Sequence, residues 1–215
     1  MDSKITIAQR VAREFRDGDV VNLGIGIPTL AADYIPPSVH IILQSENGFV
    51  GLKALDGAVD PDCVNAGGKP VAIQAGGAVF DSAMSFAIIR GGHVAATVLG
   101  ALEVDQQGNL ANWVVPGKLV PGMGGAMDLV VGAQRVIVAM EHTAKDGTPK
   151  ILQQCTLPLT AKGEVDLIIT NLCVFERNSD GLLLTELAPG VSQEQVRTAT
   201  AADYQVAANL KVMNS

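Results

Sequence analysis

The chain has 215 residues, 48% hydrophobic but only 4% aromatic, with 23 glycines and 17% charged side chains. That length predicts one sizeable domain over residues 1–215, with a core of Val, Ile, Leu and Ala laid on parallel strands joined by tight glycine connections. The formal net charge of -7, with no Lys/Arg cluster to offset it, excludes a protein built to track a nucleic-acid backbone.

Cys63, Cys155 and Cys173 are few, odd in number and far apart. They exclude a disulfide framework and a CxxC metal pattern, and reduced thiols in a cytoplasmic protein are the plain reading. Met1-Asp2-Ser3-Lys4 lacks the apolar region of a signal peptide, and no apolar run approaches membrane-spanning length, so no membrane association is expected.

Ile5 to Phe15 predicts a helix, because Ile5, Ala8, Val11, Ala12 and Phe15 recur at helical spacing opposite Lys4, Gln9, Arg10, Arg13 and Glu14. Asp17-Gly18-Asp19 ends it, and Val20 to Leu23 is a short strand. Gly24-Ile25-Gly26-Ile27-Pro28-Thr29-Leu30 leads into the next helix, with Pro28 suited to a first helical position. Gly24 and Gly26 are compatible with a backbone cradle for a phosphate or thioester, and also with a purely structural turn. They make no dinucleotide-binding pattern, since Pro28-Thr29 stands where its third glycine would be.

Val39-His40-Ile41-Ile42-Leu43 reads as a buried strand, followed by Gln44-Ser45-Glu46-Asn47-Gly48-Phe49-Val50-Gly51. A carboxylate thus stands where an apolar run stops and a glycine-punctuated turn begins. Ligands of open α/β sheets bind beyond the carboxyl ends of strands, so a catalytic group would project here. An ordinary polar turn fits the same residues.

A loop-rich tract runs from Asp56-Gly57 to Asn65-Ala66-Gly67-Gly68-Lys69-Pro70, and Val71-Ala72-Ile73 is a short strand. Asp81 or Ser82 caps a helix that continues through Phe86 and Ile89 to Arg90-Gly91-Gly92. His93 to Leu99 reads as a central strand, Asp105 to Leu110 as a polar turn, and Val114 to Pro121 as a loop over the sheet edge. Further strands are predicted over Arg135 to Met140, Asp166 to Thr170, Leu172 to Phe175 and Gly181 to Leu187. Ser192 caps a last helix running to about Ala202. The class is therefore α/β, an open, largely parallel sheet flanked by helices. The loops over 52–70 and 105–128 are long enough for a lid or a subunit interface.

Gly122-Met123-Gly124-Gly125-Ala126-Met127-Asp128 resembles an amide-rich helix entry that can stabilise an acyl oxyanion; close strand–helix packing explains it equally. Asp128 reads as a first-turn helix carboxylate and Met123 and Met127 as packing residues. His40, His93 and His142 form no HxxxH or HxH pair, so no metal is expected. His142 is either a general base or a solvated loop or interface residue. No local feature marks Cys155 as a nucleophile, and Trp113 anchors a loop or a subunit contact.

Taken together, Asn22-Leu23-Gly24-Ile25-Gly26-Ile27-Pro28-Thr29-Leu30, Gln44-Ser45-Glu46-Asn47-Gly48, Asn65-Ala66-Gly67 and Arg90-Gly91-Gly92-His93 resemble the beta subunit of the class I CoA-transferases. Leu110-Ala111-Asn112-Trp113, the Gly122 to Leu129 segment and Leu157-Pro158-Leu159-Thr160 extend the likeness over nearly the whole chain. Phe80-Asp81-Ser82-Ala83-Met84-Ser85-Phe86 is similar to the 3-oxoacid branch, in its acetoacetate and short-chain members.

That resemblance implies an alpha-subunit partner in an α2β2 assembly, acyl-CoA and a carboxylic acid as substrates, and no permanently bound cofactor, coenzyme A itself being a substrate. It implies that Glu46 is the nucleophile, forming a mixed anhydride and then a glutamyl-CoA thioester. It places Gly124 or Gly125 at the oxyanion, and Gly24, Gly26, Asn47 and Gly48 around the substrate. After Gly51, relatives continue with a small residue and Gly-Pro, whereas this chain has Leu52-Lys53-Ala54-Leu55, which bears on the acyl pocket. Alternatives are a related transferase or hydrolase with another acyl group, and a structural subunit without chemistry; an intact Glu46 separates the last from the others.

Overall fold

The computed structural model describes residues 2–55, 57, 60–117 and 123–213. The chain opens with α1 (Ser3–Ala12), capped by the Asp2 carboxylate accepting from the Lys4 amide, and continues into β1 (Val20–Leu23) and α2 (Ile27–Leu30). Next come β2 (Ile42–Ser45), β3 (Phe49–Lys53), β4 (Ala72–Val79) and α3 (Ser82–Arg90), whose N-cap is Asp81. They are followed by β5 (Ala96–Leu99), β6 (Glu103–Asp105), β7 (Leu110–Ala111), α4 (Ala126–Gly132), β8 (Val136–Ala139) and β9 (Ile151–Leu152). The last elements are β10 (Leu167–Ile169), β11 (Cys173–Asn178), β12 (Gly181–Leu187), α5 (Gln193–Ala199) and β13 (Tyr204–Val212).

Ten strands form one sheet in the order β13-β12-β11-β10-β8-β5-β1-β2-β3-β4. The open α/β sheet flanked by helices is as expected, and its continuous parallel run is β10-β8-β5-β1-β2. Antiparallel strands extend it on both sides, through β10–β11 and β11–β12 at one end and β2–β3 and β3–β4 at the other. A second sheet, β7-β6-β9, packs beside it.

The central strands are buried on both faces, as parallel strands flanked by helices must be. Along β8, Val136 and Val138 enter one apolar cluster and Ile137 and Ala139 the other, following the two-residue period of a strand. Ile7 and Val11 of α1 fill the second cluster, while Val130 of α4 and the small sheet's Val104, Leu110 and Ile151 fill the first. Arg10 ties α1 to β12 through two 2.8 Å bonds to the Glu186 carboxylate, and also pairs with Glu14.

Several boundaries differ from the sequence expectation. Helix α1 stops at Ala12, with Phe15 still buried beyond it. The strand expected over 39–43 is shifted towards the carboxyl side, because Gln44 and Ser45 are drawn into the ladders with β1 and β3. His40 consequently lies outside the strand, its side chain exposed and paired with Asp17. The predicted turn from Gln44 to Gly51 is mostly a hairpin in which Ser45 pairs with Phe49. Only Glu46, Asn47 and Gly48 remain in its loop. Gly48 is required there: its φ is 123°, and a Cβ would stand 2.1 Å from the Phe80 carbonyl oxygen.

Candidate active site

Strand β1 lies between β5 and β2, and the chain leaves it towards β2, β3 and β4 before returning across it to β5. This is a topological switch point, where a crevice opens beyond the carboxyl ends of the strands. A cavity of about 830 Å³ occupies that crevice. Its walls include Gly24 beyond β1, Glu46 beyond β2, Gly100 beyond β5, Asn112 after β7, and Gly124 and Gly125 before α4. That volume lies within the range typical of small-molecule sites, roughly 300–1,000 Å³.

Glu46 occupies the first position after β2, half-buried, with its carboxylate on the cavity. Asn22 Nδ2 donates to its Oε2 at 3.2 Å. The same amide donates to Gln44 Oε1 at 2.8 Å, and Gln44 Nε2 donates to Ser85 Oγ at 3.0 Å. On the other flank, Gly125 is so close that a Cβ there would fall 3.1 Å from Glu46 Cγ. The structure thus brings together Asn22, Glu46 and Gly125 from three separate stretches of chain.

The Ser45 side chain braces the hairpin loop, donating to Asn47 Oδ1 at 2.7 Å while accepting from the Ala66 amide. Asn47 Nδ2 donates to the Val64 carbonyl at 2.8 Å. Of the four residues expected around the substrate, Gly24 lines the cavity and its amide is bonded to the Val98 carbonyl at 2.8 Å. Gly26 caps α2, and Asn47 and Gly48 shape the hairpin; these three are absent from the described lining. Gly124, with φ 54°, faces open space, whereas Gly125 is buried against the carboxylate. Gly122 and Lys118 to Val120 lie outside the described residues. Trp113 is half-buried beside Asn112, and its indole nitrogen has no hydrogen-bond partner among the described residues.

Asn22 was not among the residues singled out for the site, although its signal was visible. An amide in the third position of the apolar strand Val20-Val21-Asn22-Leu23 must find partners when buried, and at 2% exposure it finds Gln44 and Glu46.

His142 is neither solvated nor at the cavity. Only 1% exposed, it sits three residues past β8, with Nδ1 2.9 Å from Thr170 Oγ1 and Nε2 2.9 Å from Thr200 Oγ1. Each hydroxyl also bonds a carbonyl, Thr200 that of Val196 at 2.7 Å and Thr170 that of Cys173 at 3.1 Å, so both ring nitrogens face side chains already held in place. Burial, aided by Lys150, pushes the imidazole down to about 4, which keeps it neutral. The Cys155 thiol is pushed up to about 12 by burial and by the Asp105 and Glu103 carboxylates, the opposite of a nucleophile's environment. Among the described residues no group of three or more His, Cys, Asp or Glu side chains is placed to hold a metal ion, and no helix is long and apolar enough to cross a membrane.

The Coenzyme A transferase family profile matches residues 4–199. The chain is 60% identical to the acetate CoA-transferase subunit beta of Escherichia coli (strain K12), over 98% of this chain and 97% of that one. It is 53% identical to the mitochondrial succinyl-CoA:3-ketoacid coenzyme A transferase 2B of Mus musculus, covering 98% of this chain but only 41% of that protein. Among solved structures, the acyl-CoA transferase YdiF of Escherichia coli O157:H7 superposes with a TM-score of 0.81 at 26% identity, over 99% of this chain and 43% of that chain. The decarboxylase AibA/AibB shares the fold, with a TM-score of 0.69 at 21% identity over 98% of this chain and 88% of that chain. The chain belongs to the coenzyme A transferase family, as a beta subunit of the class I enzymes.

Proposed function

We propose that this chain carries the nucleophile of an enzyme that moves coenzyme A between an acyl-CoA and a 3-oxo acid or another short-chain carboxylic acid. The observation that carries this reading is the Glu46 carboxylate, facing an 830 Å³ cavity between the Asn22 amide and Gly125. Glu46 attacks the thioester carbonyl of the donor, and the tetrahedral adduct collapses to a mixed anhydride with release of CoA thiolate. The thiolate then adds to the Glu46 carbonyl carbon and expels the donor's carboxylate, leaving a glutamyl-CoA thioester. The acceptor carboxylate runs the same two steps in reverse. A carboxylate nucleophile suits this exchange, because an anhydride keeps the acyl group activated and the thioester's free energy is retained. Gly124 or Gly125 supplies an amide to the developing oxyanion, with Gly125 the nearer to Glu46.

Related proteins support the substrates and the partner. One relative is named for acetate and another for a 3-ketoacid, and YdiF has been captured as a thioester complex with CoA. The mouse relative is more than twice as long as the matched region, which supports a separate alpha subunit here; an α2β2 assembly in the cytoplasm is part of the proposal. The test uses the copurified complex with succinyl-CoA, acetyl-CoA or butyryl-CoA and no acceptor. A thioester accumulates at Glu46, reduced by borohydride to the alcohol and converted by hydroxylamine to a hydroxamate, each a peptide mass change. Added acetoacetate then discharges it as acetoacetyl-CoA. Label on another residue, or hydrolysis with no transfer to any carboxylic acid, overturns the reading.

A further inference from the structure

We propose that Gln44 and Ser85 are positioning residues for the nucleophile, acting through Asn22 as a buried orientational relay. The inference rests on the assignment of Glu46 above and extends it to two side chains that make no hydrogen bond to the carboxylate themselves.

The relay follows from register. Asn22 and Gln44 are partners across the parallel β1–β2 ladder, and Gln44 stands two residues before Glu46. Ser85 of α3 covers them. Exposures are 2% for Asn22, 3% for Gln44 and 0% for Ser85, so all three are withdrawn from bulk water.

The hydroxyl proton of Ser85 sets the direction of the bonds that follow. The Ser45 carbonyl can only accept, and Ser85 Oγ donates to it at 3.4 Å. Having committed its one proton, Ser85 Oγ must accept from Gln44, which turns the Gln44 NH₂ towards the helix at 3.0 Å. Gln44 Oε1 therefore faces Asn22 and needs a donor. Asn22 meets it with Nδ2 at 2.8 Å, and the second N–H of that amide is shared between the Gln44 carbonyl at 3.3 Å and Glu46 Oε2 at 3.2 Å.

Reversal at any member propagates. If Gln44 turned over, its NH₂ would confront the Asn22 NH₂, and Asn22 would turn in response. Its carbonyl oxygen would then occupy the point 3.2 Å from the Glu46 carboxylate, replacing an N–H donor by a lone pair. A hydroxyl on α3 thus decides whether the nucleophile meets attraction or repulsion. Amide orientation inside a protein is set by such networks.

The test is a double-mutant cycle on the copurified complex, read as the single-turnover rate of thioester formation at Glu46 and as the acyl-CoA concentration dependence of that rate. Ser85→Ala and Gln44→Met should each slow the step about tenfold, the scale of one lost buried hydrogen bond, with the half-saturating acyl-CoA concentration unchanged. In an Asn22→Ala background the same two substitutions should have little further effect, because the side-chain route through the Asn22 amide is gone. Ser85→Thr, which keeps the hydroxyl, should restore part of the rate. If Ser85→Ala costs as much with Asn22→Ala as without it, or changes only the half-saturating concentration, the relay is overturned. Loss of thermal stability alone, with an unchanged single-turnover rate, overturns it as well. These outcomes are separable from failure of the Glu46 assignment, which would show as label on a different residue in the unsubstituted complex.

Discussion

Glu46 and His142 occupy equivalent places in the fold yet have opposite chemistry. Both stand just past the carboxyl end of a strand in the parallel run, Glu46 after β2 and His142 after β8. Glu46 borders the switch-point crevice, with an amide on one oxygen and a cavity in front. His142 lies two strands from β1, where Thr170, Thr200 and Cys173 close over the imidazole and both ring nitrogens are occupied. A reactive residue type beyond a parallel strand is therefore insufficient. The strand must also border the crossing of the chain, where no connecting element covers its end.

The contrast predicts where substitutions cost activity and where they cost stability. The largest effect is at Glu46: Glu46→Ala should abolish transferase turnover in the assembled complex, while its melting temperature stays nearly unchanged, since a half-buried loop residue contributes little packing. Glu46→Asp retracts the carboxylate by one methylene, and a displacement on the order of 1 Å costs about 100-fold. Near-normal turnover in Glu46→Ala would erase the distinction between the two sites.

His142 should govern acid stability instead. Its folded value of about 4 is below the ordinary 6.5, so on acidification the unfolded chain takes up the proton first. Stability contributed by the neutral ring is complete above pH 6.5, declines between 6.5 and 4, and is lost below, a total of about 3 kcal/mol. Denaturant unfolding across that window should show the slope, and His142→Gln should flatten it. An unchanged slope in the variant would mean that the buried ring is not the group titrating.

A third, smaller effect separates contact from strain. Gly125 has φ -84°, open to any residue, but an alanine Cβ would press on Glu46 Cγ at 3.1 Å. Gly125→Ala should slow turnover by roughly 10- to 100-fold with little loss of stability. At Gly124 the φ of 54° reverses the expectation: Gly124→Ala has space but costs about 1 kcal/mol of backbone strain. Stopped-flow rates and denaturant midpoints for the two variants measure the difference. The smallest effect is at Cys155, whose thiol is held up to about 12. Cys155→Ser should leave turnover within about twofold, and thiol-directed alkylation at neutral pH should be slow there.

By itself, the sequence determined the elements whose signals are local. Strands β1 and β12 have the predicted limits, and the caps at Asp81 and Ser192 close α3 and α5 through bonds to amides three residues on. Glu46 and the paired glycines stood out because their motifs are contiguous. Other features depended on distant partners. The strand expected at 39–43 moved because pairing with Asn22 and Phe49 engages Gln44 and Ser45. Strand β13 was not foreseen, since its exposed, irregularly patterned residues owe their conformation to the ladder with β12 rather than to a buried face. Only the tertiary structure brought Asn22 and Gly125 against one carboxylate, with Ser85 behind Gln44, and only it sealed His142 beneath Thr200, 58 residues away in sequence. Residue spacing specifies which face of a strand is apolar. Which strands become neighbours, and which strand ends remain open, is settled by burying both faces of the sheet at once.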